Sequence, residues 1–439
     1  MKAERVPSHA PAGLPPVTLA WLTWGLLASL YFIGYFQRVA PAVMVDELMR
    51  DFSIAATMLG NLSAVYFYTY AAMQVPSGLL ADAVGPRRTG TLAALVAVAG
   101  IVLFAQADSL WMATLGRGLV GASVAVAFVA CMKLAGHWFP ANRFATVTGV
   151  SLLIGNLGGV LAGVPLSEAV ASFGWRAAML ASAGATLLLA ACVWWWVRDD
   201  PGERGYASHA HPEALANTVM SPWSSLKLVV SERDTWMLFL AGGLIAAPVL
   251  TFAGLWGVPY LVQVQGLGRS HAAIYTTVML LGFAIGGPLL GALSDRMGRR
   301  KLPYLGAALV HAGCWILFLF VDGLSAVALY SLFAIIGFSA GGIIIGFAFS
   351  REANHPGAAG TVGGVVNMAV LGFAAIQQSA IGWILDRNWR GAVVEGARIY
   401  DAAAYHVAFL WLLVSAASAV VAVLFTRETY CRLRFDSDD

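Results

Sequence analysis

The sequence predicts an all-α polytopic membrane protein, with twelve transmembrane helices in two pseudo-symmetric six-helix halves. The first observation is composition: 59% of the 439 residues are hydrophobic and only 11% are charged, whereas soluble domains carry about 25% charged residues. The second is that apolar runs of about 20 residues, the length that crosses a bilayer, recur along the chain. The third is an internal repeat, given below. A β-barrel is excluded because its strands alternate apolar and polar residues over about 10 positions.

Twelve spans follow from the apolar runs, with polar or turn-forming segments between them. They are expected at residues 18–44, 57–81, 89–107, 111–135, 144–169, 176–197, 235–261, 272–293, 303–321, 325–350, 360–385 and 402–426. A polar, proline-rich segment precedes the first span, and no small-residue cleavage site follows its apolar run. We therefore expect the first span to be retained and not removed as a signal peptide.

A long polar stretch divides the spans into two sets of six. Residues 198–233 combine proline, glycine, serine and charged residues, which is typical of a linker. The sequence thus predicts an N-terminal half at residues 1–197, a cytoplasmic linker at 198–234 and a C-terminal half at 235–439.

The distribution of lysine and arginine predicts that both termini are cytoplasmic. With the N-terminus inside, 18 of the 26 basic residues fall in inner segments and 6 in outer segments, as the positive-inside rule requires. The net charge of +3 reflects this bias and does not indicate nucleic-acid binding. The four cysteines form no CxxC pair, so neither a disulfide framework nor a metal site is indicated.

One pattern of glycine, aspartate and basic residues occurs in both halves. "GLLADAVGPRR" begins at Gly78 and "GALSDRMGRRK" begins at Gly291. The other matched residues, also 213 positions apart, are Asp82 with Asp295, Gly85 with Gly298, Arg87 with Arg300 and Arg88 with Lys301. A second match, "ATVTG" and "GTVGG", follows in the same order. A repeated helical unit is typical of secondary transporters, whose substrate site lies between the repeats.

The paired motifs resemble the loop signature of the major facilitator superfamily, and the resemblance covers essentially the whole chain. It implies the major facilitator fold and transport by alternating access. It also implies that Gly78 and Gly291 permit close helix contact. Asp82 and Asp295 would then face helix N-termini and neighbouring arginines, forming an ion-paired latch at the cytoplasmic gate. The alternative is a turn that carries inner positive charge and nothing more.

A narrower resemblance is to the anion:cation symporter branch of that superfamily. "YFQRVAPAVMV" is similar to its first helix, and Arg117 lies 21 residues before Trp138 in an arrangement that the branch also shows. This chain departs from the branch at Gln37 and Val124, where the branch commonly has acidic residues. Organophosphate antiporters carry a second arginine on the seventh helix, which is missing here, so a phosphate ester held between two arginines is not expected.

Arg38 is the centre of the predicted substrate site, because it is the only ionisable residue in the middle of the first span. Helical spacing places Tyr31 and Tyr35 on the same face. The other candidates are polar or aromatic residues on spans that border the central cavity in the resembled family: Gln37, Tyr66, Tyr70, Asn156, Trp256, Tyr260 and Gln377. An arginine fork fits a carboxylate in bidentate fashion. Two alternatives remain: Arg38 reaches the membrane interface, and the aromatic residues only pack.

Three residues are candidates for energy coupling. Arg117 is a buried cation that either handles protons or, as we favour, braces helices through backbone carbonyls. Glu168 lies near the outer end of the fifth span and is able to titrate there. His311 lies on the ninth span, where a packing histidine is favoured over a proton relay. Proton symport, uniport and exchange all stay open, because no carboxylate stands at mid-membrane.

The sequence therefore predicts a transporter of a small organic anion, either a monocarboxylate or an amphipathic zwitterion, in a bacterial-type inner membrane. Its expected partners are this substrate, the lipid bilayer and, for symport, a coupling proton; a monomer without cofactor, metal or nucleic acid is expected. An exporter of amphipathic drugs or metabolites is the main alternative, and a non-transporting receptor is a remote one. An enzyme is not expected, since no nucleophile–base set or metal-ligand spacing is present.

Overall fold

A computed structural model describes residues 13–140, 143–209, 222–355 and 358–433, and these residues are almost entirely helical. The all-α prediction is confirmed, apart from one short hairpin between the last two spans. The hairpin pairs Val393–Val394 with Ala397–Arg398 in antiparallel fashion.

Six spans, which we call the N-terminal group, lie between Val17 and Trp196. Their helices are Val17–Val39 with a 3₁₀ turn Ala40–Val43, Ala56–Ala72 with Gln74–Val84, Pro86–Ala105, Leu110–Trp138, Phe144–Leu161 with Val164–Phe173, and Trp175–Trp196. A short helix, Val45–Asp51, follows the first span, and a 3₁₀ turn, Pro201–Arg204, follows the sixth.

Six further spans, the C-terminal group, lie between Arg233 and Leu424. Their helices are Arg233–Thr251 continuing through a π turn Phe252–Trp256 into Gly257–Gln263, Arg269–Met297, Lys301–Phe320, Ala326–Ala340 with Ile343–Glu352, Ala359–Arg387, and Ala402–Leu424. A short helix, Pro222–Ser231, precedes the group.

Eleven helices of the described chain are long and apolar enough to cross a membrane. The remaining predicted span, the second, is interrupted at Met73 and so consists of a 17-residue helix and an 11-residue helix. Several helices also run past the predicted spans: Arg269–Met297 replaces 272–293, for example. The difference arises because hydropathy locates the apolar stretch of a helix, whereas its hydrogen bonds continue into polar flanks.

The spans alternate in direction, so the bundle has two ends. We call one the linker end, because it holds residues 197–209 and 222–232, which lie between the two groups in the sequence, together with the segments near residues 85, 140, 299, 355 and 428. We call the other the opposite end; it holds the segments near residues 53, 107, 174, 266, 323 and 395.

Close helix packing joins the two groups toward the opposite end. The second and eleventh spans approach each other through two glycines: an added Cβ at Gly60 would lie 2.5 Å from the carbonyl oxygen of Gln378, and one at Gly382 would clash with the carbonyl of Ala56. The fifth and eighth spans also pack together there. Small residues let helix backbones approach in a membrane, where dispersion and polar contacts drive association.

The first and seventh spans lose regular α-helical geometry at matching positions. The 3₁₀ turn Ala40–Val43 and the π turn Phe252–Trp256 lie about one repeat offset apart and pack against each other. In the first span the cause is Pro41, which has no N–H and therefore leaves the carbonyl of Gln37 without its helical donor. Interrupted helices in corresponding positions of two repeats are typical of a transporter's substrate region.

Candidate functional site

Arg38 lies in a cage of four aromatic rings contributed by the first and second spans. The guanidinium carbon is 4.1 Å from the ring centre of Tyr35, 5.9 Å from Tyr66, 5.8 Å from Phe67 and 5.5 Å from Tyr70. We call these four rings the aromatic cage. Only 5% of Arg38 is exposed, so its side chain is enclosed by protein and does not extend to the membrane interface.

The charge of Arg38 has aromatic neighbours but no acidic partner among the residues that the structure describes. No carboxylate of this part of the chain forms an ion pair with it, and its Nε atom has no hydrogen-bond partner there. Cation–π contacts with tyrosine and phenylalanine stabilise such a charge by about 0.5–2 kcal/mol each. The four rings together therefore offset part of the cost of burying this charge.

Tyr31 and Tyr35 form a pair beside the cage, one helical turn apart. The Tyr31 hydroxyl donates to the Tyr35 hydroxyl over 3.2 Å, and the ring centres are 4.9 Å apart. The pair rests against Gly155 of the fifth span, where an added Cβ would lie 2.8 Å from Tyr31 and 3.2 Å from Tyr35. The structure therefore brings together Tyr31, Tyr35 and Arg38, as the helical spacing predicts.

Phe67 is the cage residue that sequence reasoning missed. It lies between Tyr66 and Tyr70 in the second span and is fully buried. The signal was present, because Phe67 and Tyr70 are three residues apart and so lie on one face. It was overlooked because a phenylalanine offers no polar group to an anion.

Arg117 of the fourth span braces the first span. Its Nη1 atom donates to the carbonyl of Gln37 over 2.7 Å, which is the carbonyl that Pro41 leaves without a helical donor. Arg117 also lies 5.0 Å from the ring centre of Tyr66. The geometry thus fits the bracing role, and it sets Tyr66 between the two buried arginines.

Gln37 and Val124, the two departures from the resembled branch, each contact another span of the N-terminal group. Gln37 points away from Arg38, and its Nε2 atom donates to the Ser182 hydroxyl of the sixth span over 2.9 Å. Val124 packs directly on Gly34 of the first span, where a Cβ would clash with the valine methyl groups. The first and fourth spans are therefore joined by an apolar contact at this position.

The contacts described for the predicted residues Trp256 and Gln377 lie between the seventh and eleventh spans and do not include Arg38. Asn156 is buried next to Gly155. Trp256 donates from Nε1 to the carbonyl of Gln378 over 3.0 Å, and Thr251 donates to Gln377 over 3.4 Å. These contacts tie the seventh span to the eleventh.

Tyr260 packs within the C-terminal group. Its ring centre is 5.6 Å from Phe318, 5.4 Å from Tyr405 and 5.2 Å from Phe409, on the ninth and twelfth spans. Its hydroxyl accepts a hydrogen bond from Gln265. Sequence spacing placed Tyr260 on a face of the seventh span but gave no information about which neighbour that face meets.

His311 is satisfied as a neutral imidazole. The indole of Trp315 donates to its Nε2 atom over 3.1 Å, so Nδ1 carries the hydrogen and faces the carbonyl of Ile336 at 3.1 Å. Both ring nitrogens are thus occupied by hydrogen bonds within the C-terminal group. This arrangement fits the packing role and offers no vacant nitrogen for a proton relay.

The linker-end motifs make contacts within their own groups. Arg300 pairs with Asp295 at 2.5 Å and with Glu352 at 2.7 Å. Glu428, after the twelfth span, accepts from the backbone N–H groups of Arg300 and Lys301 at 2.8 and 3.0 Å. An acid therefore caps the ninth span, but it is Glu428 and not the predicted Asp295.

The N-terminal group repeats this arrangement. Asp199, after the sixth span, accepts from the backbone N–H of Arg87 over 2.6 Å, and a Cβ at Gly85 would clash with it. The φ angles of Gly85 and Gly298 are +88° and +61°, a conformation that favours glycine at these helix ends. Arg88 is exposed. The side chain of Asp82 and the environment of Gly78 lie outside the residues whose contacts the structure describes.

Gly291 is not where the eighth span makes its close contact. An added Cβ there would meet only Ile344 at 3.5 Å, an ordinary distance. Gly282 and Gly286 make the close approach instead, because a Cβ at either would clash with the backbone of the tenth span. The expectation for Gly291 is therefore wrong: the motif glycine lies beyond the crossing of the two helices.

At the opposite end, Asp386 of the eleventh span caps the second span of the other group. Its carboxylate accepts from the backbone N–H groups of Ala56 and Thr57 at 3.2 and 2.8 Å, and from the Thr57 hydroxyl at 2.5 Å. Tyr400 donates to the same carboxylate over 2.7 Å. The sequence "SIAAT" offers no capping side chain of its own at Ala55, so the cap is supplied across the group interface.

A second set of polar contacts joins the groups at this end. Arg269 pairs with Glu47 and lies 3.9 Å from Asp46, and burial raises the pKa of the Asp46 carboxyl above its ordinary value. Ser270 donates to Glu168 and lies 3.2 Å from Ser167. Glu168, a predicted coupling residue, is thus part of the contact between the fifth and eighth spans.

No cluster of three or more His, Cys, Asp or Glu side chains suited to a metal ion occurs in the described ranges of the chain. Around Arg38 the described site consists of the aromatic cage, with the second buried arginine, Arg117, on the other side of Tyr66.

Comparison with known proteins identifies the family. The sequence matches the Major Facilitator Superfamily over residues 27–377. A relative from Cupriavidus necator, named a probable sulfoacetate transporter, is 23% identical over 386 residues, which cover 83% of this chain and 87% of the relative. The membrane sensor protein UhpC of Escherichia coli is 24% identical over 385 residues, covering 83% of this chain and 86% of that protein.

Solved structures show the same fold. The crystal structure of a bacterial homologue of the human lysosomal transporter Spinster, in an inward-facing and unoccupied conformation, superposes with a TM-score of 0.73. That match covers 93% of this chain and 96% of the other at 18% sequence identity, so it supports the fold alone.

Proposed function

The chain belongs to the Major Facilitator Superfamily, and we propose that it carries a small organic anion across the membrane by alternating access. The family is one of transporters, so the chain is a multi-pass membrane transporter and not an enzyme. The observation that carries the anion proposal is the enclosed guanidinium of Arg38, which has aromatic neighbours and no ion-pair partner among the described residues.

The chemistry of the cage indicates the kind of anion. A planar guanidinium fits a carboxylate or sulfonate through two parallel hydrogen bonds. The rings around it favour a compact substrate with an apolar portion, such as a monocarboxylate or an amphipathic zwitterion. The name of the Cupriavidus relative, a sulfoacetate transporter, agrees with a small anionic substrate.

The transport cycle follows from the two ends of the bundle. We take the N- and C-terminal groups as the two halves that rock against each other, with residues 198–234 as their linker. If both termini are cytoplasmic, as the distribution of basic residues predicts, the joined opposite end is the outer gate. The conformation described then faces inward, in a bacterial-type inner membrane.

Energy coupling has no evident carrier among the described residues of the membrane core. His311 is bonded as a neutral ring, Arg117 is engaged with a carbonyl, and Glu168 lies at the opposite end. A coupling proton would have to use Glu168 or the substrate itself; uniport and exchange need neither.

The test is a thermal-shift screen of the purified protein against carboxylates, sulfonates, amino acids, phosphate esters, sugars and cationic drugs. A compound that binds only the folded state raises Tm by mass action. We expect an organic anion to raise the Tm of the parent and of the control Arg390→Ala, whose guanidinium is exposed. The same anion should give no shift with Arg38→Ala.

The opposite result would favour the export of amphipathic compounds. In that case neutral or cationic compounds raise Tm, and Arg38→Ala responds as the parent does.

A sensor is the second candidate, because the UhpC relative is named a membrane sensor. A sensor and a transporter give the same thermal shift, but they differ in flux. Reconstituted in liposomes, a transporter should accumulate or exchange the stabilising anion, whereas a sensor binds it without net movement.

A further inference from the structure

Tyr35 differs from the other rings of the aromatic cage in its exposure. Tyr66, Phe67 and Tyr70 are at most 2% exposed, whereas Tyr35 is only partly buried. Tyr35 is also the nearest ring to the charge, at 4.1 Å from the guanidinium carbon. We therefore take the side of Arg38 that Tyr35 covers as the side from which an anion approaches.

Two contacts hold Tyr35 over the charge. One is the hydrogen bond from the Tyr31 hydroxyl, at 3.2 Å. The other is the surface of Gly155, which has no side chain and so leaves room for both rings against the fifth span. These contacts keep Tyr35 in place without involving Arg38.

We propose that Tyr31 and Tyr35 form a lid over Arg38, seated on Gly155, and that an anion must displace Tyr35 to reach the guanidinium. This inference rests on the proposed anion site. In the empty carrier the ring of Tyr35 takes the place of the anion, because its π face partly compensates the positive charge. On binding, the carboxylate or sulfonate replaces that contact.

The lid makes Gly155 and Tyr31 positioning residues for Arg38. The alternative is that Tyr35 is a fixed wall of the binding site, which contacts the bound anion and does not move. The lid and the wall predict opposite effects of the same substitutions. Loosening a lid lowers the cost of opening and tightens anion binding, whereas loosening a wall removes contacts and weakens binding.

The experiment measures the reactivity of Arg38 toward phenylglyoxal, an arginine reagent, by peptide mass spectrometry of the full-length purified protein. We expect Gly155→Ala to raise the labelling rate of Arg38 at least threefold, because the new methyl group would lie 2.8 Å from Tyr31 and unseats the pair. Tyr31→Phe should raise the rate in the same direction by removing one hydrogen bond. Equal rates in the parent and both variants would overturn the lid.

Two controls separate lid opening from general loosening. Gly159→Ala makes the same change one turn along the same helix, where the nearest atoms are 3.6 Å away, and should label as the parent does. Arg117, which is 2% exposed, should stay protected in every variant. If Arg117 becomes reactive in Gly155→Ala, that variant has loosened the packing in general and no longer tests the lid. The labelling rate of Tyr31→Phe then decides, since this substitution only deletes a hydroxyl.

Binding gives the second readout. For an anion that stabilises the parent, Tyr31→Phe should lower Kd by about 2- to 10-fold, the equivalent of one net hydrogen bond; a raised Kd would show a wall and overturn the lid. The two proposals fail separately. If Arg38→Ala keeps the thermal shift, the anion site fails, whereas unchanged Arg38 labelling in both lid variants rejects the lid alone.

Discussion

Pro41 illustrates how one residue determines the partners of others. It removes the donor for the carbonyl of Gln37, and a buried carbonyl without a donor costs about 1–3 kcal/mol. Arg117 supplies that donor from the fourth span. The neighbouring residue, Arg38, is thereby held at the end of a regular helix, directly before the chain turns.

This relation predicts that Arg117 and Pro41 are thermodynamically coupled. Arg117→Met should reduce the free energy of unfolding by about 1–3 kcal/mol, measured by thermal denaturation in detergent. In a Pro41→Ala background the loss should be smaller, because an alanine at this position restores a backbone N–H for the Gln37 carbonyl. Equal losses in the two backgrounds would show that the hydrogen bond of Arg117 contributes nothing.

At the scale of the helix, the first and seventh spans share a feature that follows from different chemistry. A proline ends the α-helix at Val39, whereas the seventh span widens into a π turn at Phe252–Trp256. The amide of Gln378 reaches the carbonyl of Leu250 beside that turn, over 3.3 Å. In both spans a side chain from a neighbouring helix thus donates to a backbone carbonyl at or beside the interruption.

The second span depends on its partner for its N-terminal cap. Asp386→Asn should weaken the cap, which is worth about 0.5–2 kcal/mol, and so shift the population toward an open opposite end. The measurement is maleimide labelling of a cysteine introduced at Ser63, a buried position three residues from Gly60 on the same face. We expect faster labelling in Asp386→Asn.

Asp51→Asn is the matched control. Asp51 lies at the same end but bonds within its own group, to the indole of Trp175 at 2.9 Å. Its substitution should leave the labelling rate unchanged. Similar rates for both variants would mean that the Asp386 cap does not hold the groups together.

At the scale of the whole molecule, the polar contacts at the two ends serve different purposes. Asp386, Arg269 and Ser270 bond across the group interface at the opposite end. The motif residues at the linker end, including Arg300 and Arg87, bond within their groups. This asymmetry agrees with the proposal that the two groups rock against each other, in a conformation that is closed at the opposite end.

A disulfide at the opposite end should therefore stop transport. The hydroxyls of Ser167 and Ser270 are 3.2 Å apart across the interface, so cysteines there fall within reach of a disulfide. In the double variant Ser167→Cys, Ser270→Cys, oxidation should abolish flux in liposomes and reduction should restore it. The single variants serve as controls; flux that survives complete cross-linking would show that this contact need not open.

Much of the fold was accessible from the sequence because its causes are local. Runs of about 20 apolar residues give the spans, and the repeated motifs give the family, which the comparison confirms. Residues on one helix face, such as Tyr31, Tyr35 and Arg38, were predicted to meet and do so. Their role in binding stays a prediction, as does the division into halves.

Contacts between distant spans were not accessible in the same way. The sequence could place Gln37 beside Arg38 but not show that it turns to Ser182, 145 positions away. It identified Asp295 as an acid at a helix end but could not show that Glu428 reaches the N-terminus of the ninth span first. Helical spacing fixes the direction of a side chain, whereas its partner depends on how the helices cross.

The sequence by itself therefore determined that this chain is a twelve-span transporter with an arginine in its first span. Tertiary structure alone decided that aromatic rings enclose this cation, that Arg117 braces the helix that carries it, and that Asp386 joins the two groups. The physical reason is that hydropathy and helical period act along one helix. Enclosure, bracing and capping arise between helices, where close packing selects each partner.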